Sequence, residues 1–184
     1  MISGESEIRN IISRYHGSFS TKVYSPENDD HDVLMDVFGI TPELKRQNRQ
    51  YWGRELGMCW QLLVTELFRT NASDFGPPYR EGNDELSDLM AGDNAIDTKY
   101  RVGSGDSGTL KKFKQYGNQL RDRGFTPILL ILREDNLAAA ITACRAGTWE
   151  AYTGQTTFDY IKDKTNVNLE QWLTSLDTAF QVNR

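Results

Sequence analysis

The run Pro127-Ile128-Leu129-Leu130-Ile131-Leu132-Arg133 is apolar at every position between its proline and its arginine. It is strand length and does not alternate, so it reads as a strand buried on both faces, the kind found in the middle of a sheet with helices on either side. The segments around it agree. Residues 86–91, the turn Gly92-Asp93-Asn94 and residues 95–102 read as strand, tight turn, strand. A glycine-rich loop over 103–108 then leads to a helix over 109–123, with Leu110, Phe113, Tyr116, Gly117 and Leu120 inward, Thr109 as N-cap and Gly124 as the stop. After the buried strand come a helix over 136–146, a short strand over 149–152, and helices over 156–164 and 169–180.

Upstream, residues 51–70 form a strong helix whose stripe is Leu56, Cys59, Trp60, Leu63, Val64, Leu67 and Phe68, and 71–83 is a loop. Residues 5–15 read as a short amphipathic helix ending near Gly17; 17–50 is polar and irregular apart from a short element at 33–38. The expectation is one α/β domain over 1–184, a mixed central sheet flanked by helices. Its core lies at about 51–153, and 1–50 and 154–184 serve recognition, dimerisation or packing.

Chemistry concentrates on the hairpin. Asp97 and Lys99 are two apart, so on a strand they share a face, and the turn at 92–94 brings Asp88 across the ladder toward Asp97. Two carboxylates held together out of water repel, and a divalent cation is the usual compensation. Oxygen ligands suit magnesium or manganese, which polarises a phosphate oxygen and acidifies a bound water, while a lysine orients that water or stabilises developing charge. The reaction class these residues suggest is phosphodiester hydrolysis.

At Ser87-Asp88, eight residues, then Asp97-Thr98-Lys99, the chain resembles the PD-(D/E)xK nuclease superfamily, with Ser87 in place of the motif's proline. The resemblance implies a restriction-endonuclease-like core and magnesium held by Asp88, Asp97 and the Thr98 carbonyl. Lys99 would assist the attacking water, and the cut would leave a 5′-phosphate. From Asp97 to Gln119 the likeness is to type II restriction endonucleases, specifically the ApaLI-like kind. It implies a sequence-specific enzyme acting on double-stranded DNA, a homodimer on a palindromic site, and a cognate DNA methyltransferase in the same system. A repair or junction-resolving nuclease would share the active site. Members often add a helical glutamate near the metal; Glu55 is similar, with Glu66 as its competitor.

Other readings compete. Glu43-Leu44-Lys45, with Asp36 upstream, repeats the acidic-x-Lys spacing, but Pro42 and the polar run to Gln50 give no hairpin, so a turn or helix start is expected there. A surface ion pair would explain Asp97 and Lys99 without needing Asp88. Gly103-Ser104-Gly105-Asp106-Ser107-Gly108 fits a dinucleotide-binding pattern between strand and helix, although the preceding strand carries Asp97, Lys99 and Arg101 instead of an apolar run. A DNA-binding module without catalysis would use the same basic helix.

The net charge of −5 counts against sequence-independent coating of nucleic acid. Phosphate binding needs only a local basic surface, for which Arg101, Ser104, Lys111, Lys112 and Lys114 are the candidates. Cys59 and Cys144 read as reduced, partly buried thiols and not as a zinc site; His16 and His31 read as exposed. Trp52, Trp60, Trp149 and Trp172 read as core or interface residues. No apolar run reaches the ~20 residues of a membrane span, and the first residues carry no secretory pattern, so a cytoplasmic protein is expected.

Overall fold

Helix α1 (Glu5–Thr21) opens a computed structural model that describes residues 5–21, 32–103, 107–177 and 180–182. It runs through Gly17 instead of ending there, because a single glycine costs only about 1 kcal/mol in a helix interior. Its Ile11 and Ile12 stand exposed.

Within 32–50 the short element expected at 33–38 is a six-residue helix, and a second six-residue helix follows it. Asp32 accepts the amides of Leu34 and Met35 and so caps α2 (Val33–Phe38); Thr41 and Pro42 start α3 (Pro42–Gln47). Helices this short are unstable alone. α2 persists because Leu34, Met35 and Val37 are buried in the main core. Glu43-Leu44-Lys45 falls on α3 and is a helix start.

In α4 (Arg49–Asn71) Trp52, Leu56, Trp60, Val64 and Phe68 are buried at every fourth position. The segment expected as a loop contributes two two-residue strands, β1 (Phe75–Gly76) and β2 (Arg80–Glu81), and a third, β3 (Asp84–Glu85), follows it and pairs with β2. Next come β4 (Leu89–Ala91), β5 (Asn94–Lys99), α5 (Ser107–Asp122) and β6 (Thr126–Ile131). The chain continues with α6 (Ala138–Ala146), β7 (Glu150–Thr153), α7 (Gln155–Thr165) and α8 (Leu169–Thr174).

The main sheet is mixed and five-stranded, in the order β1-β4-β5-β6-β7; β1, β4 and β5 run antiparallel, and β5, β6 and β7 parallel. Helices cover both faces. Ile128 and Leu130 of β6 pack with α2, α4, α7 and α8, whereas Leu129 and Ile131 pack with α5 and α6. This two-sided burial is what the continuous apolar run demanded.

Three expected boundaries move. Thr109 lies within the first turn of α5 and does not cap it, since the helix already begins at Ser107. β5 ends at Lys99, and the last helix stops at Thr174. Gly124 does end its helix region, with φ +89° and the Phe125 amide returning to the Leu120 carbonyl.

Candidate active site

The turn joining β4 to β5 sets the register that builds the site. Gly92 there has φ +55°, a conformation that favours glycine, and Leu89 pairs with Ile96. One step beyond the paired residues, the Asp88 amide donates to the Ile96 carbonyl at 2.9 Å, and the Asp88 and Asp97 carboxyl groups come close enough to act on each other. Along β5, Ile96 and Tyr100 pack into the α4 core and Ala95 into the α5/α6 core. Asp97 and Lys99 share the second face through the two-residue period.

Lys99 Nζ donates to Asp97 Oδ1 at 2.8 Å and to the Thr98 carbonyl at 3.1 Å. Asp88, nearly buried at 8% exposure, is gripped from two sides. The Thr98 amide and hydroxyl both donate to its Oδ2 at 2.7 Å, and Gln61 Nε2 on α4 donates to its Oδ1 at 2.6 Å. Burial, and then the charge of Asp97, push the Asp88 carboxyl up to about 7; Lys99 and the Thr98 bonds only partly offset them. For Lys99, burial works against the ammonium, but Asp97 and Asp88 outweigh it and hold the lysine above its ordinary value.

These residues line an open cleft of about 270 Å³. Its floor holds Asp88, Asp97 and Lys99, and its α5 wall presents Thr109, Lys112, Phe113 and Tyr116. Trp149 closes the wall from behind, its indole donating to the Phe113 carbonyl at 2.7 Å. Cys144 is buried in the same layer; burial, with Asp97 adding, pushes its thiol up to about 12, so it stays neutral and is no nucleophile at physiological pH. Cys59 and Cys144 are both free thiols.

Behind the site, a buried polar cluster fixes the ends of β5 and β6. Arg133, 5% exposed, donates to Asp32 Oδ2 at 2.8 Å and to Asp135 Oδ1 at 2.7 Å. Tyr100, the residue after Lys99, donates to Asp32 and accepts from Lys45 Nζ at 3.0 Å.

The other sequence candidates scatter. Glu55 does not line the cleft: it lies about 120° around α4 from Gln61 by helical geometry and accepts from Arg54 at 2.9 Å. Glu66 is exposed and paired with Arg69. Lys112 lines the cleft, whereas Lys111 and Lys114 are exposed on α5 outside its lining. Arg101 is engaged with Asp135, its Nε donating to the backbone carbonyl at 2.8 Å and lying 3.0 Å from Oδ2. Ser104 and His31 lie outside the described residues, and His16 is exposed on α1. Gln61 is the residue that sequence reasoning missed. The signal was there: it is the lone polar side chain in Met58-Cys59-Trp60-Gln61-Leu62-Leu63-Val64.

Among the described residues, no three His, Cys, Asp or Glu side chains converge as a metal-binding group. The oxygens at hand are two carboxylates and the Thr98 carbonyl. Magnesium commonly takes only one or two carboxylates and keeps several waters. Two facing carboxylates, one of them driven toward its neutral form by the other, are a donor set that such a cation would relieve. The residues therefore fit a magnesium ion. No helix among the described residues is long and apolar enough to cross a membrane. No protein-family model, curated protein or solved structure matches this chain.

Proposed function

We propose that this chain is a magnesium-dependent endonuclease of the PD-(D/E)xK superfamily, with a restriction-endonuclease-like core, that hydrolyses phosphodiester bonds in double-stranded DNA. The observation that carries the reading is the closeness of Asp88 and Asp97 beside the hairpin, with Lys99 Nζ 2.8 Å from Asp97, in one open cleft. A surface ion pair needs neither a second, buried carboxylate nor a cleft.

Asp88, Asp97 and the Thr98 carbonyl would hold magnesium, with manganese able to substitute. The bound cation supplies Lewis acidity toward a phosphate oxygen and a lowered pKa for a coordinated water. Gln61 and Thr98 keep the Asp88 carboxylate oriented by taking one oxygen each. Lys99 holds its proton and places positive charge beside Asp97, where it can orient the attacking water and stabilise charge on the phosphoryl oxygens. Lys112 and Thr109 on the opposite wall can take a neighbouring phosphate.

The type II restriction class, as a cytoplasmic homodimer with a cognate methyltransferase, is the specific form proposed; a repair or junction-resolving nuclease is the alternative with the same chemistry. Sequencing the ends left by digestion of plasmid DNA with magnesium separates them. Ends with a 5′-phosphate at one fixed site support restriction, and scattered or structure-dependent ends support repair. No cleavage with any divalent cation removes the nuclease reading. A second reading has one observation in its favour: β5, α5 and parallel β6 form the β-α-β unit that a dinucleotide loop at 103–108 requires. A clear thermal stabilisation by NAD, NADP or ATP would favour it.

A further inference from the structure

The two rims of the cleft differ in charge. On one side α5 presents Thr109, Lys112, Phe113 and Tyr116, at i, i+3, i+4 and i+7, which is one face of a helix. On the other, the chain leaves the β2–β3 ribbon through Glu85, Leu86 and Ser87, which line the cleft on the way to Asp88. The ribbon is acidic. It carries Glu81, Asp84 and Glu85, and its one cation, Arg80, is paired with Glu85.

A ribbon of two short strands is not stable alone, and this one is fastened to the α5 side. Glu81 accepts from Arg123, just past α5, at 2.6 Å, and the Tyr79 and Phe125 rings meet edge to face with centroids 4.9 Å apart. Tyr116 is a third fastening. Burial, and then a hydrogen bond to Asp84 of β3, hold its hydroxyl above its ordinary value, which tethers the ring where α5 meets the ribbon.

This asymmetry orients a nucleic-acid strand. The ribbon carboxylates repel a phosphate backbone and Lys99 and Lys112 attract it, so the backbone follows the floor and the α5 side. Lys112 and Tyr116 are one helical turn apart, so a phosphate at Lys112 leaves the base of its own nucleotide within reach of the Tyr116 ring. At about 270 Å³ the cleft is slightly smaller than typical small-ligand sites of roughly 300–1,000 Å³. One nucleotide fits it and a base pair does not.

We propose that the nucleotide beside the scissile phosphate enters this cleft unpaired, with its phosphate at Lys112 and its base stacked on Tyr116. The position of the scissile phosphate rests on the nuclease reading, whereas the stacking needs no metal. Every base has a π-face, so the platform accepts any of them. On a duplex the nucleotide must leave the stack, which is easiest where it is mismatched, damaged or already single-stranded.

Fluorescence anisotropy of a labelled short single-stranded DNA with the full chain, in a chelator so that nothing is cut, tests this. Tyr116→Leu should weaken binding about tenfold with its salt dependence unchanged, and Tyr116→Phe, which keeps the ring, should bind nearly as the wild type does. Lys112→Gln should weaken binding and lower the slope of log K against log salt by about 0.7. A strand of the same length without bases should bind the wild type at least as weakly as the intact strand binds Tyr116→Leu, and should not respond to that substitution. Wild-type binding that ignores the loss of bases, Tyr116→Leu binding like the wild type, or Tyr116→Phe as weak as Tyr116→Leu overturns the proposal. Failure of the nuclease reading looks different: base-dependent binding at Tyr116 without cutting by any divalent cation removes the nuclease and leaves the platform.

Discussion

Asp88 makes the site sensitive to pH, and the sign follows from its environment. Its carboxyl is raised from 3.8 to about 7 in the folded chain, so the folded state holds this proton more tightly than the unfolded one. That contribution is fully present below about pH 4 and is lost as pH rises through 7. A magnesium ion held there would compete with the proton, so it should bind better above 7 than below. Melting curves at pH 5.5 and 8 should show the metal-free wild type losing stability with pH more steeply than Asp88→Asn. Magnesium should recover the wild type at pH 8 and leave the variant unmoved. Gln61→Leu removes the α4 amide that donates to Asp88 and leaves a nearly buried oxygen short of that partner. A loss of about 1–3 kcal/mol in urea unfolding is expected, with slower cleavage because the carboxylate is no longer held. Asp97 and Lys99 could be read from sequence because a two-residue period is local, and Asp88 because a tight turn fixes its register. Gln61 could not be paired with Asp88 that way, since its role depends on where α4 crosses the hairpin. Glu55 was a reasonable chemical choice defeated by helical phase.

Elements long enough to show a period were legible: α4, β5, α5, β6 and α6 lie where their apolar spacing puts them. The two-residue strands β1, β2 and β3 were not, and α2 and α3 showed only as a short element of no stated type at 33–38 and a turn or helix start at 43–45, because tertiary contacts and single caps create them. α2 also matters to the site. Its cap, Asp32, is bound by buried Arg133, which joins it to Asp135 and to Tyr100 beside Lys99. Arg133→Met would leave two carboxylates facing an apolar side chain, with an expected cost of about 3–5 kcal/mol in chemical denaturation. The α5 wall of the cleft depends on a helix contact too close for any side chain. A Cβ on Gly117 would fall 1.9 Å from the Gly147 carbonyl oxygen of the α6 end. Gly117→Ala should therefore cost about 1–3 kcal/mol or more, seen as a lowered melting temperature.

For the whole molecule, a net charge of −5 is compatible with the proposed phosphate substrate because binding a phosphate needs only a local cation, and Lys99 and Lys112 line the cleft. The mixed sheet with helices on both faces followed from one apolar strand and one hairpin. What the sequence could not convey was which helix faces remain outside. Trp172 was expected in a core or an interface, and it stands half exposed beside an apolar groove between α4 and α8. The most direct test of the Asp88–Asp97–Lys99 centre is the rate of supercoiled plasmid cleavage with magnesium by the wild type and by Asp97→Asn, with DNA binding measured in parallel. The wild type should cut and lose all cutting with a chelator; Asp97→Asn should bind DNA but cut at least about a hundredfold more slowly. A wild type that binds and never cuts with magnesium or manganese, or an Asp97→Asn variant that cuts at the wild-type rate, would contradict it.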